Sequence, residues 1–210
     1  MKRILLRSLG IAFVLLSFFL ACYPFISDYL AEQSQQSDVA SYANAVENTD
    51  EQELQKAYQA AVEYNENLLG NIVADPFNAA ASSQATNSDY QTQLSVGGEI
   101  MATLEVPAID LKLPIYHGTS DEVLKKGAGH LPQTSLPVGG ESTHAVITGH
   151  TGMPAAKLFS DLNKMQVGDR FYIYVLGKTL TYKVDKIYVI EPDDTKSLRV
   201  YEGKDYVTLI

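Results

Sequence analysis

The sequence predicts a mainly β domain behind N-terminal helices and one membrane-spanning helix. Three observations predict it. From Gln91 onward, short runs of β-branched and aromatic residues recur between turn-forming residues, the pattern of an all-β barrel or sandwich. Between residues 28 and 70, apolar residues return instead at helical spacing. Ahead of both, an uncharged apolar run over 8–26 comes close to the roughly 20 residues a helix needs to cross a bilayer.

Lys2, Arg3 and Arg7 precede that run. A positive flank stays in the cytoplasm, so residues 1–7 are assigned there, 8–27 to a transmembrane signal anchor, and the rest of the chain to the outside. The expected location is therefore the cell membrane, with a single-pass N-terminal anchor in contact with lipid. A cleaved signal peptide shares the charged start and apolar centre, but this run is long for one and lacks a small-x-small cleavage site. Cys22 is the one cysteine of the chain, which excludes an internal disulfide. Phe19 and Leu20 fit a lipid-attachment site poorly, so Cys22 is assigned as a small apolar residue within the membrane.

Residues 28–70 are expected to form an extracellular helical segment. Val39, Tyr42, Ala43 and Val46, then Leu54, Ala57, Tyr58, Ala61 and Leu68, form narrow apolar stripes, which predicts two helices packed on their own domain. Asn48-Thr49-Asp50 separates them, and Thr49 or Asp50 is placed to cap the second. Residues 71–90 are mostly small and polar after Asp75-Pro76-Phe77. By composition this is a linker or mobile loop.

In the domain assigned to 91–210, strands are expected over 99–105, 111–116, 129–131, 143–148, 170–176, 179–191 and 206–210. Pro107, Pro114 and Pro192 belong at strand ends or edges, where a missing N–H is tolerated. Gly177-Lys178 predicts a tight hairpin. Residues 120–126 and 155–165 suit short helices, the first opened by Ser120-Asp121-Glu122.

At 210 residues and 46% hydrophobic content, the chain can bury one substantial core. A net charge of −9 without a dense Lys/Arg patch argues against a nucleic-acid partner.

The chemistry centres on Thr143-His144-Ala145-Val146-Ile147-Thr148-Gly149-His150-Thr151-Gly152. An apolar strand here ends in a histidine flanked by glycines, which places an imidazole at the rim of a sheet. With an ordinary pKa near 6.5, such a ring gives or takes a proton near neutrality. Periodicity alone leaves a second reading open, a loop histidine whose glycines merely turn the chain.

From about residue 98 to 210 the sequence resembles a class C, pilus-assembling sortase of a Gram-positive bacterium. The resemblance is carried by Leu113-Pro114-Ile115-Tyr116-His117-Gly118-Thr119-Ser120, Gly127-Ala128-Gly129-His130-Leu131, Thr134-Ser135-Leu136-Pro137-Val138-Gly139-Gly140, Ile147-Thr148-Gly149-His150, Leu158-Phe159-Ser160-Asp161-Leu162 and Asp205-Tyr206-Val207-Thr208-Leu209-Ile210. It implies a sortase-type eight-stranded β-barrel whose last strand is missing from this sequence. It makes His150 the match to the family's catalytic histidine, and it turns 71–90 into a lid loop in which Asp75, Pro76 and Phe77 cover the active site.

Thr208, Leu209 and Ile210 match the first three positions of the family's Thr-Leu-x-Thr-Cys motif. The nucleophilic cysteine and the catalytic arginine are thus expected beyond Ile210. On this reading the 91–210 domain is incomplete, and the chain is expected to be inactive and prone to aggregate through an exposed sheet edge. The implied parent enzyme is a cysteine transpeptidase that cleaves LPxTG-type sorting signals between Thr and Gly. It joins pilin subunits through isopeptide bonds to acceptor lysines, without a cofactor.

His117 and His130 are expected to be structural. His144 precedes His150 on the same strand, but nearby residues offer only Glu141 toward a zinc shell, so no metal site is assigned. Asp193-Asp194 is taken as a solvated turn. The rival function is a membrane-anchored, non-catalytic extracellular β domain that binds peptide or cell-wall polymer.

Overall fold

The computed structural model describes residues 2–68, 88–153, 156–190 and 196–210. Asp75, Pro76, Phe77 and the Asp193-Asp194 pair lie outside them.

Helix α1 runs without interruption over Lys2–Glu47 and includes Pro24. No glycine or further proline follows to break it, so the expected first extracellular helix is the continuation of the apolar one. The stretch from Gly10 is long and apolar enough to cross a membrane, and none of its most apolar window is buried in protein. Farther along, the helix turns one stripe toward the β domain through Ala31, Gln35, Tyr42 and Val46, a spacing that keeps one helical face inward. Ala43 falls off this stripe and is exposed. The Tyr42 hydroxyl donates to the Met101 carbonyl at 3.1 Å and accepts the Leu176 N–H at 3.0 Å. Tyr116 adds a bond to Asp38 at 2.8 Å.

Helix α2 spans Glu51–Leu68. Asp50 caps it by accepting the Gln52 N–H at 2.8 Å, which satisfies one of the orphan donors of the first turn. Leu54, Ala57, Tyr58, Ala61 and Val62 face the core. A short helix α3, Ser88–Thr92, leads into the barrel.

The strands are β1 (Ile100–Val106), β2 (Leu111–His117), β3 (Ala128–His130), β4 (Thr143–Thr148), β5 (Arg170–Val175), β6 (Lys178–Lys183) and β7 (Asp205–Leu209). They form one sheet of seven in the order β6-β5-β1-β2-β3-β4-β7. Helix α4, Asp121–Lys126, makes the crossover from β2 to the parallel β3, and Ser120 caps it by accepting the Val123 N–H at 3.3 Å. The sheet curls until its two edges meet: Tyr182 of β6 donates to Asp205 of β7 at 3.0 Å. The result is a nearly closed barrel. Its interior is filled by Leu104, Leu113, Ile115, Ile147, Ile173 and Phe159, among others.

Local expectations change at several places. The long strand expected over 179–191 stops at Lys183, because its partner β5 begins at Arg170 and the last ladder-like bonds join Val184 to Gly168 and Asp169. Past that point Ile187, Tyr188 and Val189 belong to no strand among the described residues and stand exposed. The hairpin turn is Leu176-Gly177, with φ of 47° and 76° and Val175 opposite Lys178, the positive-φ pair that a two-residue hairpin requires. Pro114 lies inside β2 rather than at its end, but β3 joins β2 only from Ile115 onward, so Pro114 occupies a local edge. The 155–165 helix is a 3₁₀ turn over Leu158–Lys164.

Candidate active site

Strand β4 carries the site because both its flanks are paired. It runs antiparallel to β3 and parallel to β7, with Val146 opposite Thr208 and Ile147 opposite Leu209. Ala145, Val146 and Ile147 are buried, as their apolar, largely β-branched character favours. Parallel pairing brings the C-terminal ends of β4 and β7 to one rim of the barrel.

The ladder continues past the strand ends. Ile210 donates its N–H to the Ile147 carbonyl, and the Gly149 N–H donates to the Ile210 carbonyl, each at 2.9 Å. His150 follows directly, half-buried, with its carbonyl accepting the Phe159 N–H at 3.0 Å. Gly149 is required by a close approach: a Cβ there would lie 2.8 Å from the Phe159 ring, closer than real packing permits. Gly152 closes the turn at φ 70°, the left-handed region that favours glycine.

Thr208 is tied to His144, the histidine within β4. The His144 Nδ1–H donates to the Arg199 carbonyl at 2.8 Å, so in the neutral ring Nε2 accepts from the Thr208 hydroxyl at 2.7 Å. Both ring nitrogens are thus taken by protein, at 3% exposure. Burial lowers the pKa of His144. Leu209 packs on the barrel core, whereas Ile210 joins Leu131, Val146 and Leu198.

His130 and His117 lie side by side on β3 and β2, with His130 opposite Ile147 of β4, and belong to a network of their own. The His130 Nε2–H donates to the Ser135 carbonyl and its Nδ1 accepts from Tyr90, each at 2.9 Å. Tyr90 in turn accepts the Gly118 N–H at 3.0 Å. Burial pushes the His130 pKa down to about 4. His117 donates from Nε2 to the Gln93 carbonyl at 2.7 Å, and burial lowers its pKa too. Both rings hold loops in place.

Sequence reasoning gave no structural role to four side chains that anchor loops of the barrel: Tyr90, Phe159, Ser160 and Asn65. Asn65 faces the core one helical repeat beyond Ala61 and grips Leu136 twice, accepting its N–H at 2.7 Å and donating to its carbonyl at 3.1 Å. A polar residue on an apolar stripe was the available signal.

Cys22, the only cysteine in the sequence, lies on the apolar part of α1, before the first α1 residue packed on the barrel core, Ala31. What the rim offers is a half-buried imidazole on a pinned turn beside the end of β7, an arrangement suited to proton transfer at a group carried on that strand.

The nearly closed seven-stranded barrel sets a histidine just past the end of one of two adjacent parallel strands. The chain belongs to the sortase family, whose domain model matches residues 104–210. Its solved structural neighbours are class C sortases. Sortase C1 of Streptococcus agalactiae is 42% identical, with a TM-score of 0.74 over 83% of this chain and 84% of that one. Sortase C-1 of Actinomyces oris is 42% identical, with a TM-score of 0.69 over 75% and 87%. A sortase C of Streptococcus pneumoniae, described for its pilin substrate specificity, is 40% identical, with a TM-score of 0.69 over 81% and 85%. Among curated relatives, sortase D of Bacillus subtilis is 28% identical over 53% of this chain and 54% of its own length. The chain spans about half the length of the curated relatives it matches.

Proposed function

We propose that the full-length protein is a pilus-assembling cysteine transpeptidase in which His150 is the proton-transferring group. One observation carries this reading above the rest: the backbone bond between Gly149 and Ile210 sets the end of β7 beside the histidine turn. A cysteine two positions beyond Ile210, as in the Thr-Leu-x-Thr-Cys pattern, would continue from that strand end.

The chemistry follows from the groups. A thiol has an ordinary pKa near 8.5, and nearby positive charge populates its thiolate. The thiolate attacks the carbonyl between Thr and Gly of a Leu-Pro-x-Thr-Gly signal, and the C–N bond breaks as His150 donates a proton to the leaving glycine amine. An arginine on the following strand stabilises the oxyanion. A lysine amine of the next pilin then attacks the thioester and gives a proton to the now neutral His150, the C–S bond breaks to release the thiolate, and an isopeptide bond forms. Asp75, Pro76 and Phe77 serve as the lid that substrate displaces. Lys2, Arg3 and Arg7 hold the start of α1 on the cytoplasmic side, and the barrel acts outside the cell.

The test is incubation of the full-length protein with a pilin bearing the sorting signal and an acceptor lysine. Covalent ladders with a Thr–Lys isopeptide, detected by mass spectrometry and lost in His150→Ala, are expected. Signal binding without any thioester or ladder would overturn the enzyme reading and favour the non-catalytic binding domain.

A further inference from the structure

The 3₁₀ turn Leu158–Lys164 touches the His150 turn at three places. The Phe159 N–H donates to the His150 carbonyl at 3.0 Å. The Phe159 ring occupies the space into which a side chain on Gly149 would project. The Ser160 hydroxyl accepts the Gly152 N–H at 3.0 Å. The backbone is therefore held immediately before His150, at His150 itself, and two residues after it.

The holder is itself fixed. Leu158 and Phe159 are each 1% exposed, and Leu158 adopts φ 37°, a left-handed conformation uncommon for a bulky residue and sustained only when the surroundings dictate it. Next to it, Lys157 donates to the Ile109 carbonyl at 3.1 Å and pairs with Asp161 at 3.2 Å, while Lys164 reaches the same carboxylate at 2.7 Å. The 3₁₀ turn is thus bolted to the β1–β2 connection on one side and to the histidine turn on the other.

We propose that Phe159 and Ser160 are positioning residues for His150. With the backbone pinned around it, the imidazole is left only its two side-chain torsions, so the turn fixes the point from which the ring swings toward the end of β7. The inference rests on the role proposed for His150. Misplacement of a proton donor by even about 1 Å lowers turnover by up to about 100-fold, so the tether matters for rate more than for substrate binding.

Histidine-ring NMR on the full-length protein in detergent micelles tests this, with His150→Ala supplying the assignment. Ser160→Ala and Phe159→Leu are each expected to shift the His150 ring resonances while those of His130 and His144 stay in place. In the transpeptidation assay Ser160→Ala is expected to lower kcat about tenfold with little change in KM, and Ser160→Thr to restore it. Unmoved His150 resonances in both variants would overturn the inference, as would an equal loss of kcat in the distant core variant Ile173→Val. Full activity in His150→Ala would remove the catalytic reading of that histidine and leave the resonance positions to decide the positioning claim.

Discussion

The Gly149 N–H donates to the Ile210 carbonyl at 2.9 Å, joining two residues that the sequence holds far apart. Strands β4 and β7 are neighbours only because the chain leaves the barrel rim after β4, builds the β5–β6 hairpin on the opposite edge, and returns in parallel. Residues at the C-terminal ends of adjacent parallel strands face a common crevice. His150 is the titratable side chain that this contact delivers there.

Replacing His150 by alanine is expected to abolish ladder formation by the full-length protein while barely altering its fold. The ring is half-buried and its backbone contacts survive the substitution, so the stability change should stay within about 1 kcal/mol. Urea unfolding alongside the transpeptidation assay checks both parts. Normal ladders would remove His150 from the reaction.

Gly149→Ala introduces a Cβ 2.8 Å from the Phe159 ring. The ring is packed in the core and cannot retreat freely, so the substitution should cost about 1–3 kcal/mol as overpacking does. Activity should fall further than stability explains. Combining it with Phe159→Leu should recover part of the stability, a non-additive result visible in a double-mutant cycle.

Asn65→Ala removes the acceptor of the Leu136 N–H at 2.7 Å and one of two donors to its carbonyl, at 3.1 Å, where the Val138 N–H remains at 2.8 Å. Because Asn65 is buried, water cannot replace the lost acceptor, and stability should drop by about 1–3 kcal/mol from the one unsatisfied N–H. A shift in the urea midpoint at unchanged slope is the expected signature.

His130 makes the fold acid-sensitive. Burial holds its pKa in the folded state down at about 4, below the ordinary 6.5, so the unfolded chain binds more protons between those values. Stability is fully present above about pH 6.5 and is lost as pH falls toward about 4, by roughly 3 kcal/mol in that window. His117 and His144, also lowered by burial, act in the same direction. In His130→Gln the pH slope of unfolding should shrink without vanishing. An unchanged slope would contradict the assignment.

Features governed by neighbours along the chain were legible before any fold was known. The apolar run near the N-terminus announced a helix able to cross a bilayer, β4 was placed over Thr143–Thr148, and the Ser120 cap came from residue type, whereas residue type left Thr49 and Asp50 as alternatives for the cap that Asp50 makes. The stretch after Lys183 could not be read this way: Ile187, Tyr188 and Val189 have strand-forming side chains but pair with no strand among the described residues, and a strand exists only when another completes its hydrogen bonds. The same holds for the site. Gly149 beside His150 was visible in the chain, but the Phe159 ring that makes the glycine necessary is brought in by the fold, as are the Asn65 and Tyr90 anchors. Local propensity acts between adjacent residues, whereas these contacts join distant segments, and only closure of the barrel sets which side chain meets which.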